Sequence, residues 1–137
     1  MEAIRSYIEA VDKQIYYHGY VSKQEMSDEL KKYDLSIIPL ATHIHGAVPS
    51  KIFDLLPEGV PILFSGDGEG ASIVRDYGFG LVSKHGDYAA LSHNISIFAE
   101  MSDSEYAAYV SNCLDAAHGA FSFKTQMARF CVFLSAL

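Results

Sequence analysis

At 137 residues, half of them apolar and 20% charged, the chain has the size and composition of one globular domain with its own core, not of a disordered segment. Seventeen acidic side chains against 10 basic ones give a formal net charge of −7, which argues against non-specific attraction to nucleic acid or anionic lipid and leaves an anionic ligand only a local positive site. The N-terminus, MEAIRSYIEA, lacks the apolar core of a signal peptide, and no apolar run approaches the roughly 20 residues that cross a bilayer, so a soluble, cytoplasmic protein is expected.

In chain order, Ile4, Ile8 and Val11 recur at helical spacing, which predicts a helix end over residues 2–11. Residues 14–18, QIYYH, form a short β-rich run closed by Gly19. Ser22 and Glu25 make a capping box that opens a helix carrying Met26, Leu30 and Tyr33 on one face. Residues 35–40, LSIIPL, are nearly all apolar and read as a strand covered on both sides. A loop follows, and then a short helix from about Ser50, stopped by Gly59 with help from Pro57. Residues 60–65 predict another buried strand, residues 71–77 a helix ended by Gly78, and residues 79–83 a fourth strand.

The remainder reads as helical. Asp87 can cap a helix with the stripe Leu91, Ile95 and Phe98. A second capping box, Ser102 and Glu105, precedes Tyr106, Val110, Cys113 and Ala117. Phe123, Met127, Phe130, Leu134 and Leu137 then follow at alternating intervals of four and three, an apolar helical stripe. Cys113 and Cys131 both fall in helical segments without a disulfide framework and are expected as reduced core thiols. Strands alternating with helices predict one α/β domain over residues 1–137: a parallel, Rossmann-like sheet of about four strands, helices on both faces, and a helical tail over residues 100–137 that packs either on this same domain or on an N-terminal domain not represented in this chain.

Residues 48–70, VPSKIFDLLPEGVPILFSGDGEG, hold the candidate site. A helix beginning at Pro49-Ser50-Lys51 offers unpaired N–H groups and a partial positive charge to an anion, and Lys51 adds a full charge where it opposes the helix dipole. Asp54, one turn later, suits either a sugar diol or simply the dipole of the first turn. Lys51 taken by itself reads more readily as a solvated surface lysine. The turn Gly66-Asp67-Gly68-Glu69-Gly70-Ala71 matches the loose dinucleotide fingerprint, but its two carboxylates would face the pyrophosphate, and a close-approach turn fits better. His43 and His45, with His18, are a weak candidate for a metal, and no metal is expected. A receiver domain fails because Pro39 stands where its aspartate would end the strand, and no catalytic triad order, nucleophile elbow or phosphate-binding lysine loop occurs.

From Tyr16 onward the motif order resembles the C-terminal domain of GT-B glycosyltransferases, the family 4 group above all. The matching pieces are YYHGYVSKQEM, YDLSIIPL, VPSKIFDLLPEGVPIL and EGASIVRDYGFGLV, over about residues 5–135. The resemblance implies the donor-binding half of a retaining, metal-independent enzyme that moves a sugar from a UDP- or GDP-sugar to a carbohydrate or lipid-linked acceptor. No cofactor or nucleic acid would be involved, and the full-length protein would be cytoplasmic or peripheral to the inner face of the membrane. Pro49, Ser50 and Lys51 would lie at the donor diphosphate, with Lys51 contributing catalytically by stabilising the departing charge. Asp54 would hold the ribose, Gly19 and Val21 would lie near the base, and Gly46, Ala47 and Val48 near the donor sugar.

The chain also departs from that pattern. Asp54 replaces a glutamate, Gly46 stands where the partner acid would be, and Pro57 replaces a small helix former. The family's basic pair and the first two strands of its 3-2-1-4-5-6 sheet are not represented, so a longer parent protein or a truncated product is expected, inactive alone. Two other readings remain open at this point: a non-catalytic α/β nucleotide-binding or interaction module, and a fragment like a GT-B sugar-nucleotide epimerase.

Overall fold

The structure, a computed structural model, describes residues 16–42, 46 and 48–136. The predicted helix at 2–11, His43, His45, Ala47 and Leu137 therefore lie outside the described residues. The elements in order are α1 (Lys23–Leu30), β1 (Ser36–Pro39), α2 (Lys51–Leu55), a 3-10 turn (Leu56–Glu58), β2 (Ile62–Ser65), α3 (Glu69–Asp76), β3 (Gly80–Ser83), α4 (Tyr88–Glu100), α5 (Asp103–His118) and α6 (Phe123–Ser135).

The three strands form one parallel sheet in the order β1-β2-β3, with Ser36 opposite Ile62 and Ile62 opposite Gly80. The expectation of about four strands is not met among the described residues, since Tyr16, Tyr17 and His18 of the predicted first strand are irregular. Each strand is shorter than its apolar run. Pro61 ends the approach to β2, and the flanking residues serve as ladder partners, Ser36 N donating to Pro61 O and Ile62 N to Phe79 O.

All four residues of β2 are buried. Ile62 and Phe64 enter a core with Ile38, Ile52, Leu55, Val74, Phe79 and Cys113. Leu63 points the opposite way and is also fully buried, while α4 packs against β2 and β3. Both faces of β2 are thus covered, which is why its sequence reads as a continuous apolar run.

Local signals place the helix starts as expected, but α1 ends at Leu30, so Tyr33, expected on its apolar face, lies beyond it. Ser22 Oγ and the Glu25 carboxylate form a reciprocal capping box on α1, and Ser102 with Glu105 does the same for α5. Asp87 caps α4 by accepting from Ala90 N. Gly59, at φ 66°, turns the chain out of the 3-10 turn in the left-handed region that glycine alone enters without cost. Pro57 sits inside that turn, so the helix tightens at the proline and stops two residues later.

The tail behaves differently from the rest. α5 delivers Cys113 and Ala116 to the core, and Phe121 behind it packs on Phe53, Tyr77 and Phe79. Beyond that point α6 has no buried residue: Phe123 is 81% exposed and Phe130 53%. Cys131 lies on this exposed helix, which corrects the expectation of two core thiols; only Cys113 is buried.

Two predictions follow from the packing. A Cβ at Gly80 would fall 1.8 Å from Ile62 O in the ladder, so Gly80→Ala should lower the urea-denaturation stability by about 3 kcal/mol or more. Burial also pushes the Cys113 thiol up to about 12, keeping it protonated at neutral pH. Iodoacetamide at neutral to mildly alkaline pH should therefore modify Cys131 in the native protein, and Cys113 only after unfolding.

Candidate functional site

The Pro49-Ser50-Lys51 turn enters α2 from the loop after β1. Ile52 N donates to Pro49 O at 3.1 Å, while Phe53 N and Asp54 N both donate to Ser50 O at 2.9 and 3.2 Å. Three amides of the first turn are thus engaged, and α2 runs for only five residues. The turn therefore offers an anion less than the unpaired helix start that the sequence suggests. Its positive character comes mainly from Lys51, which is exposed and has no ion-pair partner among the described residues.

Lys51 and Asp54 line one cavity of about 220 Å³ together with Met26 and Leu30 of α1 and Ser36, Ile37 and Ile38 of β1. The expectation that the two share a helix face is met. This cavity lies at the free edge of the sheet, where Ile37 is 46% exposed. Ser36 N and Leu40 N both donate toward β2, so the intervening Ile37 and Pro39 face away from it. Pro39 has no N–H to present on that edge.

The other residues expected at the site are not gathered there. Val21 lines a separate cavity of about 410 Å³ with His18, Tyr20 and three acids of α1, Glu25, Asp28 and Glu29. Gly19 precedes it at φ 77°, in an exposed segment. Val48 lines a third groove with Gly68, Glu69, Ser72, Ile73 and Tyr77. Gly46 is exposed at φ 72°.

The glycine turn is a packing device, as the sequence suggests. A Cβ at Gly70 would lie 2.8 Å from the Phe64 ring and 3.2 Å from Pro49, so the start of α3 rests directly on the core and on the Pro49 turn. That contact, made through backbone, holds the candidate turn against the carboxyl end of β2.

Two histidines carry more structure than the sequence discloses. His85 Nδ1–H donates to Leu40 O at 2.7 Å, tying the loop after β3 back across the carboxyl edge of the sheet to β1. His18 lies 3.2 Å from the Tyr33 hydroxyl, which donates to Glu29 at 3.1 Å, and Glu29 also pairs with Lys32. Neither follows from local periodicity, because each joins segments distant in the chain; the one hint is that His85 stands two residues past the end of β3. Among the described residues no group of three His, Cys, Asp or Glu is arranged to hold a metal, and no helix is long and apolar enough to cross a membrane.

Comparison of the chain with models of protein families, with curated proteins and with solved structures gives no match.

The α1 network sets a pH dependence. Hydrogen bonds from Ser22 hold Glu25 below the ordinary carboxyl value of 4.5, and bonds from Lys32 and Tyr33 do the same for Glu29. With folded values depressed, their stabilisation is complete above the unfolded value and is lost as pH falls through the lower, folded one. A carboxyl-detected NMR titration should find both groups titrating below 4.5, together with Glu105, which Ser102 holds down in the same way. Ser22→Ala should return Glu25 toward 4.5 and leave Glu29 unchanged.

Proposed function

We propose that this chain is the donor-binding half of a glycosyltransferase that moves a sugar from a UDP- or GDP-sugar to a carbohydrate or lipid-linked acceptor. The observation that carries this reading is the shared cavity of Lys51 and Asp54, the residues that follow the Pro49-Ser50 turn in the chain, although Pro49 and Ser50 do not line it. It combines a cation for phosphate with a carboxylate, one helical turn on, for hydroxyl groups. The parallel order β1-β2-β3 supports it, since it is the order of strands 4, 5 and 6 in the family resemblance. The free edge of β1 is where the two unrepresented strands would pair.

In this role the residues bind and stabilise charge rather than attack. As the bond between the donor sugar and the diphosphate oxygen breaks, negative charge accumulates on the leaving diphosphate. The Lys51 ammonium lies on the side where that charge develops and lowers its energy. Asp54 accepts hydrogen bonds from the ribose hydroxyls and fixes the nucleotide's orientation. Neither residue acts as a nucleophile, and the acceptor is held by a part of the protein beyond this chain. The chain alone binds donor weakly and has no transfer activity.

The separation of Val21 and Val48 into other cavities favours a second reading, a non-catalytic α/β nucleotide-binding or interaction module. In that case nucleotide would bind without an acceptor-binding partner being needed for function.

Titration with UDP and with GDP to millimolar concentration should shift the amide resonances of Ser50, Lys51 and Asp54. Lys51→Ala should weaken the binding by about 1 to 3 kcal/mol, the range for a charged hydrogen bond. Unchanged amides at these positions with both nucleotides would remove the donor-site assignment.

A further inference from the structure

The exposed α6 and a groove between α4 and α5 are both apolar and are opposite in charge. α6 carries Phe123, Met127, Phe130 and Leu134 as an exposed stripe. Lys124 and Arg129 are its charged residues, Lys124 at one margin of that stripe and Arg129 towards the opposite face beyond Phe133, and α6 contains no acid. A helix of 13 residues with its apolar face in water is marginal by itself, because most helical stability in proteins comes from packing of that face. None of its own residues is buried by the described part of the domain.

The groove lies between the C-terminal end of α4 and the start of α5, at the amino end of β1. It measures about 410 Å³ and is lined by apolar Leu35, Ile95, Phe98 and Met101, with Asp34 and Asp103 beside them and no cation in its lining. Ile95 is 42% exposed there, although it belongs to the apolar stripe of α4. Tyr106, whose hydroxyl donates to Asp34 O at 2.9 Å, braces the floor. An apolar helix that carries two cations and no acid thus has, on the same molecule, an apolar groove with acids at its margin.

We propose that α6 of one copy of this chain docks into the α4/α5 groove of a second copy, apolar stripe inward, with Lys124 at the margin of the contact towards Asp34 and Asp103 and Arg129 adding positive charge behind it. The contact is heterologous: tail and groove are different surfaces, so each copy offers one of each and either a reciprocal dimer or a longer assembly results. The proposal stands independently of the glycosyltransferase reading, since neither surface includes Lys51 or Asp54. An acidic chain that otherwise repels its copies gains here a contact of opposite sign.

The test uses two variants of the whole chain in sedimentation velocity. Phe130→Asp spoils the tail and Ile95→Lys spoils the groove; both positions are exposed, so circular dichroism should show each variant folded. Wild type should self-associate with rising concentration, and each variant should do so about tenfold more weakly or worse. Mixed one to one, the variants should associate again, because an intact tail meets an intact groove. Concentration-independent monomer in wild type would overturn the proposal. So would Ile95→Lys associating as wild type does, the result expected if two α6 helices simply pair with each other.

Discussion

The constraint on which the rest depends is the burial of β2. It is paired on both edges and covered on both faces, and its four residues leave no side free for water. Every segment of the candidate site is placed relative to it. β1 pairs with one edge and ends at the loop that leads to Pro49. The glycine turn leaves its carboxyl end and sets the start of α3 against Phe64 and Pro49. On its other edge Gly80 lets β3 approach so closely that no side chain fits beside Ile62 O. Such packing tolerates little, because interiors are close-packed and a displaced methyl is felt by its neighbours.

Much of this was legible from residue order alone, for identifiable reasons. The capping boxes at Ser22 and Ser102 and the left-handed glycine at position 59 are local chemistry, and the structure realises them where they stand. The apolar run of β2 announces a parallel strand because alternation is absent when both faces are covered, whereas β1, expected from its similar run to be covered on both sides, is an edge strand with Ile37 46% exposed. What escaped was decided by distant contacts. Cys131 obeys a helical period yet lies in the open, since periodicity marks an apolar face and says nothing of what covers it. The roles of His85 and His18 depend on Leu40 and Tyr33, each far away in sequence.

The candidate site shows the same division. The three-residue spacing of Lys51 and Asp54 was sufficient to place them in one cavity, because a helix fixes that relation. The relation of those residues to Val21 and Val48 is tertiary, and the fold sends each to a different cavity. The helix start at Ser50 is also less open than a long helix would be, since its carbonyl already receives two amides. The charge of Lys51 thus becomes the principal attraction for an anion. Among the described residues the β1 edge at Ile37, the stripe of α6 and the α4/α5 groove at Ile95 all leave apolar surface exposed.

The central claim is that nucleotide is held at the Pro49–Asp54 turn and not at the glycine turn beside it. Hydrogen–deuterium exchange with and without millimolar UDP or GDP separates the two directly. The account predicts slower exchange over residues 49–55 and no change over residues 66–71, with β2 the slowest segment throughout. Protection confined to residues 66–71, or none at either turn, would contradict it.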